Sequence, residues 1–240
     1  MIFPSLDRVK AIAPGYDIVP VYMEILSDVR TPISVLKALK QVSSHTYLLE
    51  SADNSNHWGR YSFLGYDPKI ELFCKNHTMT IKDGTTCTFE CSDPAAEIRN
   101  ILSQYKSPRL EELPTFTGGF VGYFACEYIR YIEPTLDFPT PDDDSAMVND
   151  VDLMLFDKVI AFDHYKNKIY LIANISTNDL ERNYNKAELE LKALADLVVN
   201  GKEADIPKGI LKTEFTSEFT KDEFEAVVKK TQHYIKEGDI

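Results

Sequence analysis

The hydrophobic positions of this chain change their spacing several times, and each change marks an element. After Arg30-Thr31-Pro32, where a capping threonine precedes a proline at the first helical position, Ile33, Leu36 and Leu39 recur at helical spacing. Ser43 to Thr46 breaks that helix. Tyr47–Leu49 is a short apolar run that predicts a buried strand, and Glu50-Ser51 ends it with a charge and a hydroxyl. His57-Trp58-Gly59-Arg60 leads into a second strand. From there to Cys91 the segments Tyr61–Gly65, Ile70–Cys74, Met79–Lys82 and Thr86–Cys91 alternate or run apolar. Turn residues at Asp67-Pro68, Asn76-His77 and Asp83-Gly84 separate them, which predicts an antiparallel meander.

The pattern then alternates between helix and strand. Asp93-Pro94 opens a helix carrying Ile98, Ile101, Leu102 and Tyr105, and a loop through Pro108 and Pro114 follows. Gly118-Gly119-x-x-Gly122 lacks the Lys-Ser/Thr of a phosphate loop; glycines there fit a strand that another backbone approaches closely. Phe124–Tyr131 predicts a short aromatic helix whose rings enter the core, and Pro134–Ser145 a surface loop. Val151–Asp163 and Lys168–Ile175, joined by His164–Asn167, predict a hairpin. Leu180–Val199 is helical, with Leu191, Leu194, Leu197 and Val198 on one face and Gly201 as the stop. Lys202–Lys212 has the composition of a linker. Thr220 and Glu223 then form a capping box, Phe219 and Phe224 a hydrophobic staple, and Phe224, Val227, Val228, Tyr234 and Ile235 an apolar helix face. The strand-rich pattern with interspersed helices predicts an α+β fold.

Composition narrows the function classes. With 240 residues and 44% apolar content the chain can bury a sizeable core, as one large domain or two small ones. A net charge of −12 sets it against nucleic acid and anionic membrane surfaces as partners. No apolar run approaches about 20 residues, and no basic-then-apolar leader opens the chain, so the expected location is the cytoplasm. Cys74-x2-His77 and Cys87-x3-Cys91 could supply four zinc ligands. The loose spacing and the placement of Cys74 and Cys87 in strands favour reduced core thiols, and no metal site is expected. The five histidines are scattered, and no nucleophile–base pair is evident from the spacing, so no catalytic residue is expected.

One segment carries candidate chemistry. A strand end offering Glu50 and Ser51 beside Arg60 suits a small zwitterion: the carboxylate takes an ammonium, while the hydroxyl and strand-end N–H groups take a carboxylate. An ordinary charged turn at a sheet edge uses the same residues.

Leu48-Leu49-Glu50-Ser51 together with Trp58-Gly59-Arg60-Tyr61-Ser62-Phe63-Leu64-Gly65 resembles the N-terminal half of anthranilate synthase component I. Gly118–Phe124, Asp152–His164 and Phe219–Ile240 resemble later segments of the same family, in order along the chain. The match covers about half of the family's usual length. The resemblance implies two antiparallel sheets packed as a sandwich with peripheral helices. It divides the chain into a regulatory domain at 1–201, a linker at 202–215 and, at 216–240, the first helix of a chorismate-binding half. It implies a lyase that converts chorismate and ammonia to anthranilate and pyruvate in L-tryptophan biosynthesis. Glutamine amidotransferase component II delivers the ammonia, and Mg2+ is held in the C-terminal half, beyond this segment. It also implies feedback inhibition by L-tryptophan, with Leu49, Glu50, Ser51, Ala52, Arg60, Tyr61 and Ser62 lining one side of the site and the C-terminal half completing it. The related aminodeoxychorismate synthase component of folate biosynthesis, and a stand-alone amino-acid-binding or interaction module, are the alternatives.

Overall fold

Apolar and β-branched runs form ten strands among the described residues, and these pair into two antiparallel sheets. The computed structural model describes residues 1–28, 30–51, 59–133, 135, 148–205, 209–214 and 216–239. The first sheet contains β1 (Ile18–Leu26), β2 (Thr46–Leu49), β3 (Tyr61–Tyr66), β9 (Lys158–Asp163) and β10 (Lys168–Ser176), in the order β1-β10-β9-β3-β2. The second contains β4 (Ile70–Lys75), β5 (Thr78–Asp83), β6 (Thr85–Glu90), β7 (Gly119–Phe124) and β8 (Val151–Phe156), in the order β6-β5-β4-β8-β7. The helices are α1 (Leu6–Ile12), α2 (Pro32–Leu39), α3 (Pro94–Leu102), α4 (Ile129–Ile132), α5 (Leu180–Asn200) and α6 (Lys221–Glu237). This is the expected α+β class. Contacts divide the chain into two units, Met1–Asp205 and Ile206–Ile240.

The first sheet is buried on both faces. Ile169, Leu171, Ala173 and Ile175 of β10 and Ile160 and Phe162 of β9 join Val9, Val35, Leu39, Leu191 and Leu194 from α1, α2 and α5. The alternate residues, Tyr170, Ile172, Val159 and Ala161, meet Leu110 and Leu113 from the loop after α3. The period of two thus divides each strand between two cores. Each fully buried Leu, Ile or Val contributes about 1.5–3 kcal/mol. Helix α5 presents Tyr184, Ala187, Leu191, Leu194 and Val198, spaced by three and four, to the first core. The second sheet has its own core, in which Leu72, Cys74, Met79, Val151 and Leu153 pack with Ile98 and Ile101 of α3. The Tyr131 hydroxyl donates to Asp150 Oδ2 (2.8 Å) and accepts from the His77 N–H (2.9 Å), which ties α4 to this sheet.

Several expectations are corrected. Nothing in the pattern before Arg30 predicts an element, yet α1 and β1 lie there. β1 is buried along most of its length, so it does not alternate, and Pro20 sits in it because β1 is an edge strand. The expected meander from Arg60 to Cys91 holds only for β4–β6, because β3 belongs to the other sheet. Asp67, at φ 54°, and Pro68 turn the chain between the sheets. The single run Val151–Asp163 is likewise two strands. Its break is Asp157, whose carbonyl accepts from both the backbone N–H (2.9 Å) and the side-chain Nδ2 (3.0 Å) of Asn174. Phe124 ends β7, and the predicted aromatic helix shrinks to a 3-10 turn at Cys126–Tyr128 followed by α4. Gly201 stops α5 without a left-handed turn (φ −57°), and a Cβ there would strike the Leu197 carbonyl. Residues 134 and 136–145 of the predicted loop lie outside the described residues.

Helix α6 forms as its sequence dictates. Thr220 Oγ1 accepts from the Glu223 N–H (3.4 Å), and the Glu223 carboxylate accepts from the Thr220 N–H (2.8 Å). Gly238 closes the helix at φ 82°.

The glycine segment behaves as the strand reading requires. β7 and β8 lie so close that a Cβ on Gly122 would collide with the Asp152 carbonyl, and one on Gly118 would lie 2.6 Å from Asn174 Nδ2. Gly122→Ala is therefore expected to destabilise the protein by about 1–3 kcal/mol, the usual cost of overpacking a tight site. Urea denaturation of the variant against the parent measures this.

Candidate functional site

Three strand ends meet at one end of the first sheet. β2 stops at Leu49, β3 starts at Tyr61 and β9 stops at Asp163. The ladder pairs Leu49 with Phe63, Ser62 with Phe162, and Tyr61 with Asp163. The His164 N–H donates to the Arg60 carbonyl (2.9 Å), extending the ladder past the strand. Alternation places Leu48, Ser62, Leu64 and Phe162 on the helix-covered face and Tyr61, Phe63 and Asp163 on the other. β2 is an edge strand and only half buried, which corrects the expected buried strand; Leu49 is 47% exposed.

Arg60 and Asp163 form the charged centre of this region. Arg60 donates from Nε (3.1 Å) and Nη2 (2.7 Å) to the two Asp163 oxygens. Asp163 is fully buried and also accepts from the backbone N–H groups of Tyr165 (3.1 Å) and Lys166 (3.0 Å). Burial alone would raise the carboxyl of Asp163. The Arg60 guanidinium and the two N–H groups outweigh it and hold the carboxyl below the usual carboxylate range. The guanidinium also lies over the rings of Tyr61 (4.8 Å) and Tyr165 (5.5 Å). Its charge is thus paired with Asp163 through two of five N–H donors, with 31% of its side chain exposed.

On the opposite face the Ser62 hydroxyl stands between two groups. Glu50 Oε1 lies 3.3 Å from it and His164 Nε2 lies 2.7 Å from it. A serine hydroxyl this close to an imidazole has the first contact of a hydrolytic pair. Ser62 is 3% exposed, however, so a substrate carbonyl cannot reach it. The contact is a structural hydrogen bond.

The structure brings Leu49, Glu50, Arg60, Tyr61 and Ser62 to this sheet end, with Ser51 at the last described position beyond β2. Ala52 and Trp58 lie outside the described residues. Tyr61 packs beside Phe63 (5.7 Å between ring centres), and burial pushes its hydroxyl up. The sequence reading missed two members, Asp163 and His164. They end an apolar run that pairs with β3, and only the strand register reveals that neighbourhood.

The thiols lie apart from this site. Cys74 and Cys91 are buried in the second core and their pKa values are raised by that burial, whereas Cys87, expected inside, is exposed on the edge strand β6. Among the described residues no three His, Cys, Asp or Glu side chains converge to hold a metal. No helix among them is long and apolar enough to cross a membrane.

Residues 45–240 match the family model of chorismate binding enzymes. The chain belongs to this family. It is 33% identical over 250 residues to anthranilate synthase component 1 of Acetivibrio thermocellus, covering 100% of this chain and 50% of that protein. It is 36% identical over 231 residues to the protein of the same name from Acinetobacter calcoaceticus, covering 94% and 46%. The crystal structure of anthranilate synthase component I from Streptococcus pneumoniae TIGR4 is similar at 25% identity over 90% of this chain and 46% of that one, with a TM-score of 0.46. The resemblance to anthranilate synthase component I read from Leu48–Ser51 and Trp58–Gly65 therefore extends along the whole chain. The chain spans about half the length of the curated relatives it matches.

Removing one partner of the central ion pair is expected to cost more than a surface pair would. Arg60→Leu leaves a buried carboxylate with two of its four hydrogen bonds and is expected to lose about 2–3 kcal/mol in urea denaturation. The pH dependence follows from the direction of the Asp163 shift. A carboxyl depressed in the folded state contributes stability in full above the unfolded value, about pH 4, and loses it as pH falls through the folded value. The parent is thus expected to lose stability on acidification below about pH 4, with a shallower loss in Asp163→Asn.

Proposed function

We propose that this chain is the tryptophan-sensing part of an anthranilate synthase component I. In this reading the complete protein converts chorismate and ammonia to anthranilate and pyruvate in the cytoplasm. A glutamine amidotransferase partner supplies the ammonia. Residues 1–201 form the regulatory domain, 202–215 a linker, and 216–240 the start of the chorismate-binding half. The observation that carries the reading is the similarity, along nearly the whole of this chain and about half of each relative, to proteins named anthranilate synthase component 1, together with a polar cluster at the strand end where Leu49-Glu50-Ser51 meets Arg60-Tyr61-Ser62. The names of these relatives favour this reading over the aminodeoxychorismate synthase alternative. Mg2+ belongs in this reading to the chorismate-binding half; among the described residues no three His, Cys, Asp or Glu side chains converge to hold a metal.

The geometry supports distinct roles. Glu50, at the open end of β2, supplies the carboxylate for a ligand ammonium, and Ser51 a hydroxyl for its polar atoms. Leu49 and Tyr61, on the sheet face opposite Ser62, border the site at the strand end. Arg60 fixes the strand ends through Asp163, using two of its five N–H donors for that pair. Tryptophan held here favours a low-activity arrangement and weakens chorismate binding at a separate site. Such coupling is reciprocal and amounts to about 1–3 kcal/mol.

In the complete protein, Glu50→Lys replaces the ammonium partner with a like charge, and Ser51→Arg fills the pocket. Both are expected to raise the tryptophan concentration for half-inhibition of anthranilate formation by at least about tenfold. Rates without tryptophan are recorded alongside. Unchanged inhibition in both variants would remove this site from the feedback mechanism.

A further inference from the structure

The row Glu50–Ser62–His164 contains a constraint on where the protons sit. A serine hydroxyl has a single proton to donate, and an ionised glutamate can only accept. Both contacts of Ser62 Oγ, to Glu50 Oε1 at 3.3 Å and to His164 Nε2 at 2.7 Å, can be hydrogen bonds at once in one arrangement only. In it Ser62 donates to Glu50, and His164 donates from Nε2 to Ser62. The opposite tautomer would draw the Ser62 proton to the ring and strip Glu50 of this donor. Ser62 itself is buried, at 3% exposure, between these two groups.

The fold fixes the two ends of this row unequally. The His164 backbone is tied to Arg60 by its N–H, and its ring lies over Phe162 (6.4 Å between centres) in a nearly parallel stack. Glu50 follows the last residue of an edge strand; its side chain and that of His164 are both exposed, but the His164 backbone is held in the extended ladder. The imidazole, placed by that backbone, therefore restrains the carboxylate through the buried hydroxyl. A carboxylate oxygen held on one side leaves its other lone pairs free for a second donor.

We propose that His164 is a positioning residue for the amino-acid site. Acting through Ser62, it fixes the Glu50 carboxylate in the orientation that receives the primary ammonium of an α-amino acid. The proposal rests on the feedback-site reading above. It adds a residue just past the end of β9 that does not itself touch the ligand.

Two measurements on the complete protein test it. The first is inhibition by L-tryptophan in the parent, His164→Ala, Ser62→Ala and His164→Gln. Loss of the restraint is expected to raise the half-inhibitory concentration about three- to tenfold in the two alanine variants. Glutamine, whose amide can donate to Ser62, is expected to restore most of the affinity, a rescue that a merely space-filling role for His164 would not predict. The second needs no ligand: nitrogen-15 NMR of the His164 ring. The ring is expected to be protonated at Nε2, and its signals to move in Glu50→Ala although the glutamate reaches it only through Ser62. Parent inhibition by tryptophan with unchanged values in His164→Ala, or ring signals indifferent to Glu50→Ala, overturns the proposal and leaves the feedback reading intact. A parent that tryptophan does not inhibit overturns both.

Discussion

The carboxylate of Asp163 is fully buried at the end of β9, and the candidate site depends on how that charge is satisfied. Four donors surround it: two from Arg60 at the start of β3 and two backbone N–H groups from the turn that follows. An unpaired charge in that position would cost several kcal/mol. The pairing therefore pins the entry to β3 against the exit from β9, and β2 takes its register from β3. Glu50, Ser51, Ser62 and His164 are held by this frame. Two of the five Arg60 N–H donors are used in building it.

The division of the strands between two sheets positions the rest. Chain corners at Asp67-Pro68 and at Asp157 send β3 and β9 into one sheet and β4 and β8 into the other. Close backbone approach at Gly118 and Gly122 lets β7 pair with β8 beside the Asp157 corner. The first sheet gains cores on both faces, so its polar residues are confined to the strand ends. The polar cluster thus lies at an end of the sheet, outside its two cores.

Much of this was legible in the sequence where the chemistry is local. Thr31-Pro32, Asp93-Pro94 and the Thr220–Glu223 box mark helix starts because capping involves residues three apart. The Thr31 and Asp93 side chains accept the expected N–H bonds at 3.2 and 3.0 Å. The turns at Asn76-His77 and Gly84 show the positive φ angles their residue types suggest. What was not legible is non-local. Membership of β3 in one sheet and β4 in the other depends on partners roughly a hundred residues away. The continuous burial of β1 hides its period. Asp163 and His164 join the site only through strand register, and neither carries a local signal. The motif segments around Leu48–Ser51 and Arg60–Ser62 meet at one sheet end, while the pairing of Arg60 with Asp163 and of Ser62 with Glu50 and His164 required the geometry.

The central claim is that this sheet end receives an amino acid. Hydrogen exchange of the backbone amides in the complete protein, with and without L-tryptophan, tests it directly. The account predicts added protection at residues 49–51 and 60–62 with tryptophan. Protection confined to other segments, or none at all, would contradict it.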